Sequence, residues 1–206
     1  MRSDRPTEQI DVWRLYQRFA AAFDGDRSRG TMEQAWLDRT LDLCQSDAPA
    51  VLDLGCGMGE PIAAYLISRG AIVTGVDAAD RMLALAEVRY PGAEWIQADM
   101  RCLQLGRRFN AIIAWDSFFH LPHDDQRNMF QVFADHAAPG APLLFTSGPG
   151  YGEAIGELYG EPLYHASLDP DEYRSLLAEN GFAEIDFVPN DRTCGGHSVW
   201  LARQNA

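Results

Sequence analysis

From Ala50 onward the chain alternates short, nearly all-apolar runs with longer stretches whose apolar positions recur every three or four residues. Runs of the first kind read as strands and stretches of the second as amphipathic helices. Ala50–Leu54 is the first expected strand. A helix over 61–68 follows, with Pro61 tolerated in its first turn and Gly70 ending it. The second strand covers 71–76 and runs into Asp77. Asp80 is placed to cap a helix to Arg89, which carries Met82, Leu83, Leu85 and Ala86 and is broken by Pro91-Gly92. Strands are expected over 94–98, 111–115 and 142–146. A helix with Met129, Phe130, Val132 and Phe133, opening at Asp124 or Asp125, separates the last two. A helix over 169–180 and strands over 183–188 and 198–202 close the chain, these two strands forming an antiparallel hairpin at the sheet edge. Strands this apolar are buried on both faces, which implies an α/β, doubly wound, mostly parallel sheet between helix layers.

Two segments fall outside the alternation. In residues 1–49, Trp13, Tyr16, Phe19, Ala20 and Phe23 repeat at helical spacing, and Trp36, Leu37 and Leu41 resume it after a loop over 24–30. Residues 148–168 are rich in glycine and tyrosine without periodicity. They read as a loop beside the strand ends, a wall for a substrate.

Composition narrows the partners. At 206 residues, 47% hydrophobic and 23% charged, the chain fits one globular domain. No apolar run is long enough for a transmembrane helix, and the N-terminus lacks the apolar core of a secretory signal. Cys44, Cys56, Cys102 and Cys194 are widely spaced and suggest neither a zinc site nor a disulfide framework, so a reducing, cytoplasmic setting is expected. No His/Cys/Asp spacing resembles a metal site. A net charge of −13 disfavours nucleic acid and anionic membranes and leaves a neutral or cationic small molecule as the expected partner.

The segment Val51-Leu52-Asp53-Leu54-Gly55-Cys56-Gly57-Met58-Gly59 reads as a buried strand breaking into a glycine turn, where backbone N–H groups can approach a nucleoside-like ligand. In open parallel sheets ligands bind beyond the carboxyl ends of the strands, where strand order reverses. Those ends carry Asp53 to Gly59, Asp77, Asp99-Met100 and Trp115-Asp116-Ser117. A carboxylate at Asp77 can accept from both ribose hydroxyls, each bond worth roughly 1.5–3 kcal/mol, and it would repel a 2′-phosphate. That suits a nicotinamide dinucleotide as well as an adenosyl compound, and Asp77 could instead cap a helix. The glycines discriminate further: the spacing is GxGxG rather than GxGxxG. Glu60 would face a pyrophosphate there with like charge. A cofactor without phosphates meets no such conflict.

Asp53 to Gly59, Asp77 and Ala98-Asp99-Met100 together resemble the motif series of class I S-adenosylmethionine-dependent methyltransferases. The resemblance covers about residues 50–147. It extends more loosely to Phe23-Asp24 with its preceding alanines and to the terminal helix and hairpin, which resemble the small-molecule branch. Glu60-Pro61 departs from the family, which more often has an acid or glycine where Pro61 stands. The resemblance implies a Rossmann-like, seven-stranded sheet over 50–206 that binds S-adenosylmethionine, with residues 1–49 as a helical lid. It implies Gly55, Cys56 and Gly57 along the methionine portion, and Asp53 holding that loop or the amine. Asp77 would take the ribose, and Ala78 and Met82 would border the adenine. Asp99 and the Met100 N–H would bind the adenine edge, and Trp115 and Asp116 would sit beside the sulfonium. Arg29 and Tyr16 are the candidates for the cofactor's carboxylate, Arg29 being equally readable as a solvated loop charge.

Each residue also has a plainer reading: Asp99 as a turn former before Arg101, Met82 and Met100 as core filler. His120 and His123 follow the fourth strand; either could act as a base, and either could be structural. His165 and His197, with Tyr151, Tyr159 and Tyr164, could form a polar aromatic wall. Methyl transfer asks mainly for alignment and water exclusion. A base is needed only where the acceptor must lose a proton, and His120 or Asp116 would supply it. The expected reaction is methylation of a small-molecule acceptor by a monomer or homodimer. The alternatives are a nicotinamide-dependent oxidoreductase and a non-catalytic S-adenosylmethionine-binding protein.

Overall fold

The computed structural model describes residues 11–30 and 32–206 of the chain. Its elements, in order, are α1 (Trp13–Asp26), α2 (Gln34–Asp42), β1 (Ala50–Leu54), α3 (Ile62–Ser68), β2 (Ile72–Asp77), α4 (Asp80–Arg89), β3 (Glu94–Gln97) and β4 (Ala111–Ala114). There follow α5 (His123–His136), β5 (Pro142–Ser147), β6 (Gly152–Leu158), β7 (Glu161–Ser167), α6 (Pro170–Glu179), β8 (Phe182–Asp191) and β9 (His197–Gln204). Seven strands form one sheet in the order β3-β2-β1-β4-β5-β9-β8. The first five are parallel, and β9 runs antiparallel to both β5 and β8. The chain order reverses between β1 and β4.

Alternation along each strand sends successive side chains to opposite layers. Leu52, Leu54, Ile112 and Phe145 pack in one cluster with Met129, Phe130 and Phe133 of α5 and Tyr173 of α6. Val51, Val73, Ile113 and Leu144 pack in the other with Leu37 of α2 and Leu66 of α3. Helix α1 belongs to neither layer. Its Val12 end packs on Leu163, Tyr164 and Ala166 of β7, and its Ala20 sits against Ala79 and Met82 at α4. Gln17 bonds the Asp80 carboxylate, and Asp24 pairs with Arg89 at 2.6 Å, so α1 bridges the two sides of the strand ends.

Three expectations need correction. Residues 148–168 are not a loop: β6 and β7 form a hairpin turned by Tyr159 and Gly160. Both turn residues have positive φ, 52° and 83°, which is the two-residue turn whose twist suits a hairpin. Tyrosine in the first of these positions gives no sequence signal for the turn. The outer strand β6 is exposed along most of its length, so no alternation marks it either. Asp80 does not cap α4: the cap position is Ala79, whose N–H is taken by the Asp77 carboxylate at 2.8 Å. Helix α1 continues through Asp26, inside the expected 24–30 loop.

A 3-10 turn, Phe118–His120, carries the chain out of β4. Phe118 is fully buried, with Phe130, Phe133, Phe145 and Tyr173 ring centroids 5.5–6.1 Å away. Phe118→Ala is expected to lower stability by about 3–5 kcal/mol, read from urea unfolding. A loss below about 1 kcal/mol would mean the site collapses around the gap.

Candidate active site

Strand β1 ends against its neighbours on both sides. The N–H groups of Gly55 and Cys56 donate to the Val76 carbonyl at 2.7 and 3.1 Å, and Ser117 Oγ donates to the Leu54 carbonyl at 2.7 Å. Gly55 has φ 74°, and a Cβ there would lie 2.2 Å from that of Ser117. Only glycine closes this bend so near the β4 exit. The bend, the β2, β3 and β4 exits and the inner face of α1 enclose a cavity of about 270 Å³.

Thirteen of the fourteen residues singled out from sequence line it: Tyr16, Asp53, Gly55, Cys56, Gly57, Asp77, Ala78, Met82, Asp99, Met100, Trp115, Asp116 and His120. Arg29 does not. It lies on the surface beside α1, its guanidinium 2.8 Å from Asp24. Arg27 lines the cavity instead, 3.8 Å from Asp116 and 3.9 Å from Glu33. The helical phase explains the exchange. Tyr16, Ala20, Phe23 and Arg27 follow one another at spacings of four, three and four, one stripe of a helix that runs through Asp26. Ending the helix at Phe23 hid that stripe. Trp13, an aromatic candidate for the pocket from its sequence, lines the cavity, as do Phe23 and Phe119, which were not assigned to it.

The acids divide by what holds them. Asp77 accepts from the Gly57 N–H at 2.9 Å and the Ala79 N–H at 2.8 Å; burial nevertheless raises its pKa above the ordinary value. Asp53 is more extreme: burial, reinforced by the Asp77 charge, pushes it up to about 7, and its Oδ2 is buried with no hydrogen-bond partner. Trp115 Nε1 is a second buried, unpartnered atom in the cavity wall. Asp99 accepts from the backbone N–H and the guanidinium of Arg101. Burial pushes its pKa up, and the Arg101 bonds outweigh that and hold it low. Asp99 is thus a turn former, and it remains a cavity-lining carboxylate. Arg101 is fully engaged by Asp99, Asp125 and Asp11, which leaves Arg27 as the guanidinium open to an anion.

His120 is tied down at both nitrogens. Its Nδ1 lies 2.8 Å from the Tyr164 carbonyl, which can only accept, so Nδ1 carries the proton and Nε2 accepts from the Tyr16 hydroxyl at 3.2 Å. Burial lowers its pKa to about 4 and raises that of Tyr16 to about 12. Taking a substrate proton on His120 therefore requires displacing Tyr16. His123 neither caps α5 nor faces the cavity: its Nε2 lies 3.2 and 3.1 Å from the Gly152 and Ser167 carbonyls, and its ring stacks on Tyr151. The expected tyrosine wall is absent from the cavity. Tyr159 bonds Asp26, Tyr164 bonds Glu153, and Tyr151 is exposed. His165 and His197 do line it.

A doubly wound sheet with a glycine bend at the reversal point and carboxylates at successive strand ends defines the class I methyltransferase architecture. Residues 51–140 match the family model described as a methyltransferase domain. The chain is 34% identical over 117 residues to trans-aconitate 2-methyltransferase of Azoarcus sp. (strain BH72), spanning 56% of this chain and 45% of that protein. It is 31% identical over 202 residues to glycine N-methyltransferase of Rattus norvegicus, spanning 86% of this chain and 65% of that protein. The structure of S-adenosylmethionine-bound CalS10, an amino pentose methyltransferase from Micromonospora echinaspora, superposes with a TM-score of 0.71 at 21% identity, over 91% of this chain and 97% of that one. The curated relatives are longer, and the matched parts span between 35% and 65% of their lengths. Residues 51–140 thus match a methyltransferase domain, and the chain shares the fold of S-adenosylmethionine-dependent methyltransferases.

Asp53 carries a pH prediction. Its carboxyl titrates at about 7 in the folded chain, against about 3.9 when unfolded. Below about pH 4 both states hold the proton and the group is neutral to stability. Between about pH 4 and 7 the unfolded state binds fewer protons, so stability falls as pH rises and then levels off. Asp53→Asn cannot ionise, so its urea-unfolding stability should gain on wild type across that window. A difference independent of pH would place the carboxyl at its ordinary value.

Proposed function

We propose that this protein transfers a methyl group from S-adenosylmethionine to a small-molecule acceptor. The observation that carries the reading is the set of carboxylates, Asp53, Asp77 and Asp99, at three neighbouring strand ends around the Gly55 bend. The polar groups suit that cofactor. Asp53 offers a buried, unpartnered oxygen to a cationic amine, and Asp77 has acceptor capacity left for ribose hydroxyls. Asp99 and the Met100 N–H are available to the adenine edge, with Ala78 and Met82 as its apolar border. Arg27 replaces Arg29 as the partner for the carboxylate. When bound, the cofactor supplies a methyl group already activated by the positive charge on sulfur.

The chain's own part is alignment and exclusion of water. In this reading residues 1–49, of which 1–10 and 31 lie outside the described residues, are the lid over 50–206, with Tyr16, Phe23 and Arg27 of the α1 segment closing the cavity. Trp115 and Asp116 border the reacting end. The nicotinamide alternative draws no support from the relatives, and Glu60 at the start of α3 would oppose a pyrophosphate. The acidic balance of −13 supports a neutral or cationic small molecule rather than nucleic acid or a membrane surface. Among the described residues no helix is long and apolar enough to cross a membrane, and the four cysteines are free. The free cysteines support a cytoplasmic setting, and a monomer or homodimer is the expected state.

Calorimetric titration tests the assignment. Wild type should bind both S-adenosylhomocysteine and 5′-methylthioadenosine, which lacks the amino-acid tail. Arg27→Met should weaken the first by about 10- to 100-fold, as for a lost charge-assisted bond, and leave the second unchanged. Asp77→Asn should weaken both. Equal affinity of wild type and Arg27→Met for S-adenosylhomocysteine removes Arg27 from the site, and no binding to wild type removes the cofactor reading.

A further inference from the structure

A second cavity of about 380 Å³ lies between the β5 exit and the β6–β7 hairpin. It shares three residues with the first, Phe119, His165 and His197, so the two meet at those side chains. The residues around the junction differ in how they are held. His120, just inside the first cavity, has both nitrogens engaged. His197, the first residue of β9, has Nδ1 3.2 Å from Asp116 Oδ1. The contact is at ion-pair distance, and a carboxylate beside Nδ1 favours the tautomer with the proton there, which leaves Nε2 as the acceptor. Asp116 is itself fixed for this contact. Its backbone has φ 49°, unusual for a residue other than glycine, and its N–H is held by Thr146 Oγ1 at 2.9 Å.

The charges around the second cavity select the ligand. Its wall includes Glu153, His165 and His197 but no arginine, and the chain contains no lysine at all. Asp116 stands at the junction, with Glu33 and the single guanidinium of Arg27 behind it. A carboxylate or phosphate would meet no fixed cation in this cavity. An ammonium would meet acids, and once deprotonated it is a competent nucleophile. An alkylammonium is about four pK units from an ordinary imidazole, and an aliphatic hydroxyl about nine.

We infer that the second cavity holds the methyl acceptor, that the acceptor is an amine entering as its ammonium, and that His197, oriented by Asp116, removes its proton. This rests on the methyl-transfer reading. The N–H proton passes to His197 Nε2 and its electron pair stays on nitrogen. The nitrogen lone pair then forms the N–C bond, the C–S bond breaking with its own pair going to sulfur. The imidazolium is held by the Asp116 carboxylate until the proton leaves to solvent. His197 is the catalytic residue in this step, and Asp116 is a positioning residue.

The titratable groups around His197 are Asp116 after β4, Glu33 before α2, His165 on β7 and Asp191 opposite it on β8, with Arg27 standing beside Asp116. The test uses the full chain with S-adenosylmethionine, following S-adenosylhomocysteine release over a panel of benzylamine, an aminohexose and ethanolamine derivatives, each paired with its hydroxyl counterpart and with a phenol. Turnover of at least one amine and of none of the hydroxyl or phenol partners supports the proposal. His197→Gln should lower kcat for that amine on the order of 100-fold near pH 7, with KM within a few-fold. The deficit should shrink as pH approaches the amine's own pKa, where solution supplies the free base. A structural role for His197 would give the same loss at every pH, and that result overturns the assignment.

Imidazole nitrogen NMR on wild type gives a readout that needs no variant to fold: His197 should carry its proton on Nδ1 at pH 8, and the Nε2–H tautomer would overturn the proposal. Cofactor binding with no amine turned over overturns the acceptor class alone. Absence of cofactor binding overturns the methyl-transfer reading with it.

Discussion

The bond from Ser117 Oγ to the Leu54 carbonyl, with the Gly55 N–H on the Val76 carbonyl, pins the end of β1 between its two neighbours. β1 is the strand at which the sheet reverses its order, so the helices after β1 and β4 leave toward opposite layers and a crevice opens between them. The crevice stays narrow because the bend sits so close to Ser117 that even a methyl group would collide. Every other feature of the site is placed relative to this point. Asp77 reaches the Gly57 N–H because the bend presents it, and Asp53 is buried because the bend turns back over it.

The cleft holds its negative charges at a cost. Asp53, Asp77 and Asp116 all have raised pKa values because burial disfavours their ionised forms, and Asp53 adds repulsion from Asp77. A chain selected for stability alone would replace such groups with apolar ones. Their retention beside an unpartnered indole N–H and a single available guanidinium makes sense where a cationic ligand completes the electrostatics. The same logic extends past the first cavity, where Asp116 faces His197.

Helix α1 makes this chemistry possible without joining the sheet. Its two ends rest on α4 and on the β7 hairpin strand, and Tyr16 in between reaches His120. The contacts to α4 combine Ala20 on Ala79 and Met82 with partly exposed polar bonds, and those to β7 combine Val12 on Leu163, Tyr164 and Ala166 with the exposed Arg18–Glu161 pair. Such an element can lift at less cost than any strand of the sheet, since it breaks few buried contacts.

Local pattern was enough for the sheet. Nearly continuous apolar strands, alternating with amphipathic helices, encode a doubly wound fold because each property is read within a few residues. The GxGxG bend and the acids at Asp77 and Asp99 were legible for the same reason: their role depends on standing at strand ends. Three other features depended on which parts of the chain meet in space. Arg27 rather than Arg29 faces the cavity because α1 runs one further turn, and its phase turns Arg27 inward. The β6–β7 hairpin forms on a tyrosine–glycine turn that carries no local signal, and its pairing comes from contacts across the chain. His120 and His197 are both histidines near strand ends. Only the tertiary packing brings Tyr164 to one and Asp116 to the other, and those partners decide which nitrogen carries the proton.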